Sequence, residues 1–454
     1  MQRRLAWLAI LPCALLVACA TVRMPDLSRL YAAHAVDREA VPVILIPGLL
    51  GSRLARSGDG MELWPGSTGK LLTSGYLELA MRIDPVTLEP LDDGIVASGL
   101  FDNAIGKDFY GRVVEVLREV GGYQLSRPGD PVVQQKARLY IFTYDWRQDN
   151  VLTARKLDAF IEQIRKDYGD PGLRVDVIAH SMGGLIVRYY QRYGTDDVLD
   201  GNVFPVTGAG AMKVRRFVML GTPNQGSVTA IHKFLNGYRV GLASLPVEGV
   251  ATMPALFQLF PHPLVDWITT IDGRPLERDL FEVELWRRFQ WSIFDPHVQR
   301  RMQHEPGMWP EQQVFERWFE KRLERGRRFV WSLMVPTGDV KLMEPLMFGG
   351  NCVPTPRRLV VEEVGGDSIA RLRPEQILRS ERGVDYEALM FEPGDGTVTK
   401  SSLLGRQQLH PSVPRHEYSN VEISRAFFIC ERHDALTGNI TLLDNMLNFL
   451  LGAD

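Results

Sequence analysis

Cysteine is scarce and unevenly placed: the 454-residue chain has four, at positions 13, 19, 352 and 430, and none between 20 and 351. At this length a sizeable core forms without staples, so a disulfide-held miniature scaffold is excluded. Charge of either sign is not in excess. Fifty-two Lys and Arg against 55 Asp and Glu give a formal net charge of -3, with no basic surplus to attract nucleic acid. Internal repeats and low-complexity tracts are also missing. What remains, 45% hydrophobic and 24% charged residues, is the composition of a soluble globular protein.

The first residues differ from the rest. "MQRRLAWLAILPCALLVACATVR" sets Arg3 and Arg4 before an apolar segment too short to span a bilayer comfortably, the layout of an export signal. Leu16, Val17 and Ala18 before Cys19 resemble a bacterial lipoprotein processing box. The resemblance implies a signal peptide over 1–18, lipidation of Cys19, a tether over 19–40 and a membrane anchor. Ala20, rather than Asp, after the cysteine points to the outer membrane. An ordinary signal peptide and a single anchor helix are the alternatives. Cys352 and Cys430 are left, and in an oxidising space they form either a disulfide or two buried thiols.

From residue 41 to 454 apolar runs alternate with helical patterns. "VPVILIPGLLGS", "RLYIFTYDWR", "LRVDVIAHS", "VRRFVMLGTPNQGS", "RRFVWSLMVPTGD" and "RAFFICERH" read as strands buried on both faces, which predicts a parallel sheet. Val113, Leu117 and Val120 mark one helix; Leu157, Ile161, Ile164 and Tyr168 mark another. Ile440, Leu443, Leu447 and Leu450 mark the last. The order is that of a doubly wound α/β fold, with its function at the carboxyl ends of the strands. Two segments break the rhythm and read as insertions, about 52–105 and about 224–326. The second carries Trp267, Trp286, Trp291, Trp309 and Trp318, as the core of a helical subdomain or as a lid over an apolar channel.

"DVIAHSMGGLIVRYY" answers to a strand, a sharp turn and a helix, with Ser181 at the turn. A nucleophile elbow needs small residues two before and two after the serine, and here they are Ala179 and Gly183. The following helix start offers the N–H of Met182 to a developing oxyanion. The plain alternative is a serine in an ordinary βα turn.

A serine hydroxyl needs a base oriented by a carboxylate, in the chain order Ser, acid, His. His433, after "RAFFIC" and before the final helix, is the best-placed base. His410 and His416 lie in a proline-rich loop and read as surface residues, while His180 reads as a packing residue. For the acid, Asp395 in "PGDGTVTKSS" and Asp339 in "VPTGDV" compete, and pattern alone slightly favours Asp339.

In order along the chain, "PVILIPGLLGSRL", "YDWR", "AHSMGG", "LGTPNQGS", "PTPR", "GDGTV" and His433 resemble the lecithin:cholesterol acyltransferase-like α/β hydrolases. That group includes a lysosomal phospholipase and phospholipid:diacylglycerol acyltransferases. The resemblance implies an α/β-hydrolase fold, Asp395 as the acid, and an oxyanion hole from the N–H groups of Leu50 and Met182, with Leu49 the adjacent alternative. It further implies that Trp64, Leu71, Leu72, Tyr76 and Leu77 lie in a membrane-contacting subdomain; an internal cluster is the competing reading. The cysteine pair of the animal members is missing from that region. Asp145 and Arg147 of "YDWR" read as a structural ion pair tying a strand end to the lid.

The expectation is an acyl hydrolase acting on phospholipid or another long-chain ester through an acyl-enzyme, at a membrane surface, with no metal or organic cofactor. An O-acyltransferase on the same scaffold and a catalytically silent lipid- or partner-binding lipoprotein are the rivals.

Overall fold

The computed structural model describes residues 26–31, 41–104, 106–132, 137–240, 242–305, 307–406, 421 and 423–452. The leader, Cys19, His410 and His416 lie outside the described residues. Within the segment read as a tether, Leu27–Tyr31 is a short helix with Leu27 and Tyr31 buried. The Tyr31 hydroxyl donates to Asp444 in the last helix.

Seven strands make the central sheet: β1 (Val43–Ile46), β2 (Gln124–Leu125), β3 (Arg138–Ile141), β4 (Val175–His180), β5 (Val214–Leu220), β6 (Leu346–Gly350) and β7 (Arg425–Ile429). They lie in the order β7-β6-β5-β4-β1-β3-β2, and every pairing is parallel. Helices α1 (Gly111–Glu119), α2 (Asn150–Tyr168), α3 (Met182–Tyr193), α4 (Val228–Asn236), α5 (Gln312–Ser332) and α6 (Ile440–Leu451) accompany it.

Alternation along the strands explains why helices cover both faces. Val43, Leu45, Ile178 and Val218 pack with Val113 and Leu117 of α1 and Leu443 and Leu447 of α6. Ile44, Ile46, Val177 and Ala179 point the other way, into a core shared with Leu157 and Ile161 of α2 and Ile186 and Tyr190 of α3. A mostly parallel sheet wound on both sides, with a helix springing from the end of its central strand, is an α/β-hydrolase fold.

One strand expectation fails, and another is met only in part: "RAFFIC" forms β7, but at the sheet edge with Arg425 and Phe427 exposed rather than buried on both faces. "RRFVWSLMVPTGD" is not a strand: α5 runs through it to Ser332, and the sheet's sixth strand is "LMFGG" at 346–350. Phe315, Phe319, Leu323 and Phe329 fall on the buried side of α5 at helical spacing, and Glu324 pairs with Arg328 one turn on. A short apolar run does not distinguish the two states when read apart from the 15 preceding residues. Residue 326, set as the end of the second insertion, therefore lies inside one helix.

The first insertion builds a three-stranded antiparallel sheet from Ser52–Arg56, Glu62–Trp64 and Ile95–Leu100. In the second, Trp267, Trp286, Trp291 and Trp318 are buried and Trp309 partly so, which is the packed-core reading. Arg147 is fully buried and forks onto Asp145 (2.9 and 2.8 Å) and Asp93 (2.7 and 3.2 Å), and donates to the Leu79 carbonyl. The pair is structural as expected, but its side chain fastens the strand end to the first insertion rather than to the lid. No helix among the described residues is long and apolar enough to cross a membrane.

Candidate active site

The turn after β4 holds Ser181 at φ 53°, ψ -124°, a backbone conformation that costs a non-glycine residue strain. Its amide donates to the Leu220 carbonyl of β5 at 2.7 Å, which fixes the turn against the neighbouring strand. Small residues are obligatory on the β1 side. A Cβ on Gly183 would stand 2.8 Å from the Pro47 carbonyl oxygen, and one on Gly48 would stand 2.8 Å from Ser181 Cβ.

Ser181 Oγ lies 2.9 Å from His433 Nε2, and His433 Nδ1 lies 2.8 Å from Asp395 Oδ2. Asp395 is buried, and its Oδ1 accepts from the amides of Thr397 (2.9 Å) and Val398 (2.7 Å). The main chains are tied as well, since His433 N–H donates to the Asp395 carbonyl at 2.9 Å. A disulfide between Cys352 and Cys430, with Cα atoms 5.1 Å apart, joins the two approaches to this pair. Cys352 precedes the strand Val353–Pro356, which pairs with Phe391–Gly394 just ahead of Asp395; Cys430 lies three residues before His433.

Of the competing acids, Asp395 therefore meets the imidazole, while Asp339 is exposed in the loop after α5. Burial works to lower the His433 pKa, but the Asp395 carboxylate outweighs it and holds the imidazole above its ordinary value. Burial raises the Asp395 pKa, and His433 together with the two backbone amides overcomes that and leaves it lowered.

The turn after β1 faces the serine from the other side. Leu50 has φ 64°, and its carbonyl accepts from the Trp64 indole at 2.9 Å. The Pro47 carbonyl accepts from the Tyr144 hydroxyl at 2.8 Å, and the Gly48 amide donates to the Tyr110 hydroxyl at 2.9 Å. Leu49 and Leu50 of this turn line the cavity beside Ser181, and Met182 offers the first amide of α3. Trp64, Leu71 and Tyr76 are buried, Leu77 is half-buried, and Leu72 is exposed, so this set is chiefly an internal cluster. Trp64 instead braces the turn that carries Leu50.

A cavity of about 520 Å³ opens beside Ser181, walled by apolar groups such as Leu50, Phe101, Phe109, Leu256 and Leu259. Two lysines also reach it. Lys107 is paired with Asp434, and the Lys233 ammonium sits 4.3 Å from the centre of the Tyr238 ring, its pKa lowered by burial. No group of three or more His, Cys, Asp or Glu suited to a metal ion occurs among the described residues.

Two residues outside the expected set belong to this site. His180 is buried against His433 and bonds Tyr110, and Tyr110 bonds Gly48. In the sequence His180 reads as packing; its place at the last position of the strand that leads into Ser181 is the signal for more. Nothing local marks Tyr110.

An apolar cavity with a hydroxyl, an imidazole and a buried carboxylate in line beside it, next to a helix start, has the parts that acyl transfer needs. Comparison with known proteins agrees with the fold. Residues 133–325 match the family model described as lecithin:cholesterol acyltransferase, a stretch that contains Ser181 and Met182 but not Leu50, Asp395 or His433. A similar curated protein is lecithin-cholesterol acyltransferase-like 4 of Arabidopsis thaliana, 27% identical over 184 residues. That match covers 36% of this chain and spans about a third, 32%, of the relative's length. Among solved structures, one in the Tle4–Tli4 complex superposes with a TM-score of 0.51 at 16% identity, over 90% of this chain and 98% of the other. That likeness speaks for the fold alone. Over residues 133–325, which hold the serine turn, the chain is similar to the lecithin:cholesterol acyltransferase family.

Proposed function

We propose that the protein is a lipid acyl-ester hydrolase or acyltransferase, working through a serine-bound acyl intermediate. The observation that carries this is the unbroken chain from Asp395 through His433 to Ser181, with links of 2.8 and 2.9 Å, at the floor of the apolar cavity. The match of residues 133–325 to an acyltransferase family supports the same reading.

In this mechanism Ser181 Oγ attacks the ester carbonyl while His433 Nε2 takes its proton. The negative oxygen turns to the amides of Met182 and Leu50. His433 then returns the proton to the leaving alcohol, and an acyl-serine remains. Water or an alcohol, deprotonated by His433, attacks that acyl group, and His433 returns the proton to Ser181 Oγ as the acyl–serine bond breaks. Asp395 keeps Nδ1 protonated and Nε2 facing the serine, and it stabilises the imidazolium that forms between the steps.

The preferred acceptor in this reading is water and the preferred donor a phospholipid or another long-chain ester, because the cavity walls are apolar and large enough for an acyl chain. Lipidation of Cys19 would hold the site at the bacterial envelope, at a bilayer that supplies such esters. The test is product analysis with the leaderless protein on phospholipid vesicles containing a long-chain alcohol, beside Ser181→Ala. Free fatty acid from the native protein alone is the expected result. Acyl-alcohol as the main product would move the protein to the transferases, and identical results from native protein and Ser181→Ala would refute the reading.

A further inference from the structure

His180 moves no proton in that scheme, yet it is buried with its ring centre 4.8 Å from that of His433. Both its nitrogens are engaged. Nε2 lies 3.1 Å from the His433 carbonyl oxygen, and Nδ1 lies 2.7 Å from the Tyr110 hydroxyl. The Tyr110 oxygen also receives the Gly48 amide at 2.9 Å.

The direction of every link follows from what each group is able to do. A carbonyl only accepts, so His180 Nε2 carries the hydrogen and Nδ1 bears the lone pair. Nδ1 must then be met by a donor, and the Tyr110 O–H is that donor. The hydroxyl's own lone pair takes the Gly48 N–H. No member is left without a partner, and the hydroxyl serves once as donor and once as acceptor. Burial lowers the His180 pKa to about 3, helped by the neighbouring His433, and burial pushes the Tyr110 phenol up. Both stay neutral, as the links require.

Gly48 begins the turn that presents Leu49 and Leu50, and the His433 carbonyl belongs to the loop that presents the base. These two pieces are 385 residues apart in sequence (433 minus 48) and reach Ser181 from different strand ends. His433 is otherwise fixed by Asp395, through its amide and through Nδ1. His180 supplies the remaining hold, on the carbonyl, and does so from the residue next to the nucleophile. We propose that His180 is a positioning residue which, through Tyr110, locks the oxyanion turn and the histidine loop into one register around Ser181. This rests on the acyl-ester reading for its kinetic consequence, although the linkage itself is a property of the fold.

The experiment compares native protein with His180→Phe, Tyr110→Phe, the double variant and His180→Gln, using a chromogenic long-chain ester. Thermal melting of each accompanies the kinetics. Each single change to Phe is expected to lower kcat by about 10- to 100-fold, the effect of sub-ångström to ångström misplacement, with KM within about twofold. The double variant should be no slower than the slower single one, because both cut the same chain. His180→Gln, whose amide restores a donor and an acceptor, should recover part of the loss. Tyr110→Phe keeps the ring and removes only the hydroxyl, so it decides the matter if His180→Phe fails to fold. A folded Tyr110→Phe with native kcat, or losses that multiply in the double variant, would overturn the proposal.

A second readout needs no substrate. Imidazole nitrogen NMR of protein labelled in histidine, assigned with His180→Gln, should show His180 as the neutral tautomer protonated on Nε2. The other tautomer, or a mixture, overturns the linkage whatever the activity. An inert native protein with the expected tautomer would instead refute the acyl-ester reading and leave the linkage intact.

Discussion

Replacing Asp395 by Asn separates the geometry of the site from its charge. The amide side chain keeps an Oδ1 that accepts from the amides of Thr397 and Val398, and the backbone bond from His433 N–H to the carbonyl of residue 395 is untouched. The fold should therefore hold, with melting within a few degrees of native. What changes is the third contact: an NH2 group now faces His433 Nδ1 across 2.8 Å. Two donors cannot share that line, so the imidazole moves its hydrogen to Nε2 and points it at Ser181 Oγ. The base can no longer take the serine proton. A wrong tautomer of this kind costs about 10⁴-fold in kcat, or about 5.4 kcal/mol at 1.36 kcal/mol per decade. The pH profile supplies a second signature. In the proposed mechanism activity requires neutral His433, whose pKa is held above the ordinary value by Asp395 against the opposing effect of burial. Activity should thus rise with pH through a midpoint above about 6.5, the ordinary histidine value. With the carboxylate gone, burial is opposed only by the weaker pull of Asp434, and the residual activity should rise at lower pH. Steady-state hydrolysis of a soluble ester across pH, with Asp339→Asn as the control, measures both. More than a tenth of native kcat in Asp395→Asn, or an unmoved midpoint, would refute the assignment; so would an equal loss in Asp339→Asn.

Three further outcomes are expected. Arg147→Met strands Asp145 and Asp93 without their shared cation and should cost about 3–5 kcal/mol in urea unfolding, with most of it regained when both acids are also changed to Asn. Changing Cys352 and Cys430 to Ser opens a crosslink spanning 78 residues, worth about 4 kcal/mol by loop entropy; activity in a urea titration should then fall ahead of the circular dichroism signal, because the crosslink ends three residues from His433. Gly183→Ala drives a methyl against the Pro47 and Ile46 carbonyl oxygens, at 2.8 and 3.0 Å. Overpacking there should cost about 1–3 kcal/mol by thermal melting and lower kcat while leaving the Cys352–Cys430 disulfide formed.

The reach of the sequence follows from how local each signal is. Strands β1, β3, β4, β5 and β7 fall within apolar runs bounded by turn residues, and Ser181 sits where small neighbours announce a sharp turn. In β1, β3, β4 and β5 such patterns survive because a strand buried on both faces has no polar face to blur them, while β7 keeps its apolar run at the sheet edge with Arg425 and Phe427 exposed. β6 is hidden for the opposite reason: "LMFGG" is five residues with two glycines, beside the stronger apolar run that belongs to α5. The acid is not legible from pattern at all. Asp339 and Asp395 both occupy turns, and what separates them is the pairing of Val353–Pro356 with Phe391–Gly394, a contact between segments tens of residues apart. Only the resemblance to a family carries that information, through the "GDGTV" turn. Tyr110 lies further out of reach, since its hydroxyl matters only because β1 and β4 are neighbours and α1 crosses beside them. The residues written in the local pattern are thus those whose job is set by their own turn. Those that hold two turns in register are fixed by the sheet order, which no window of sequence contains.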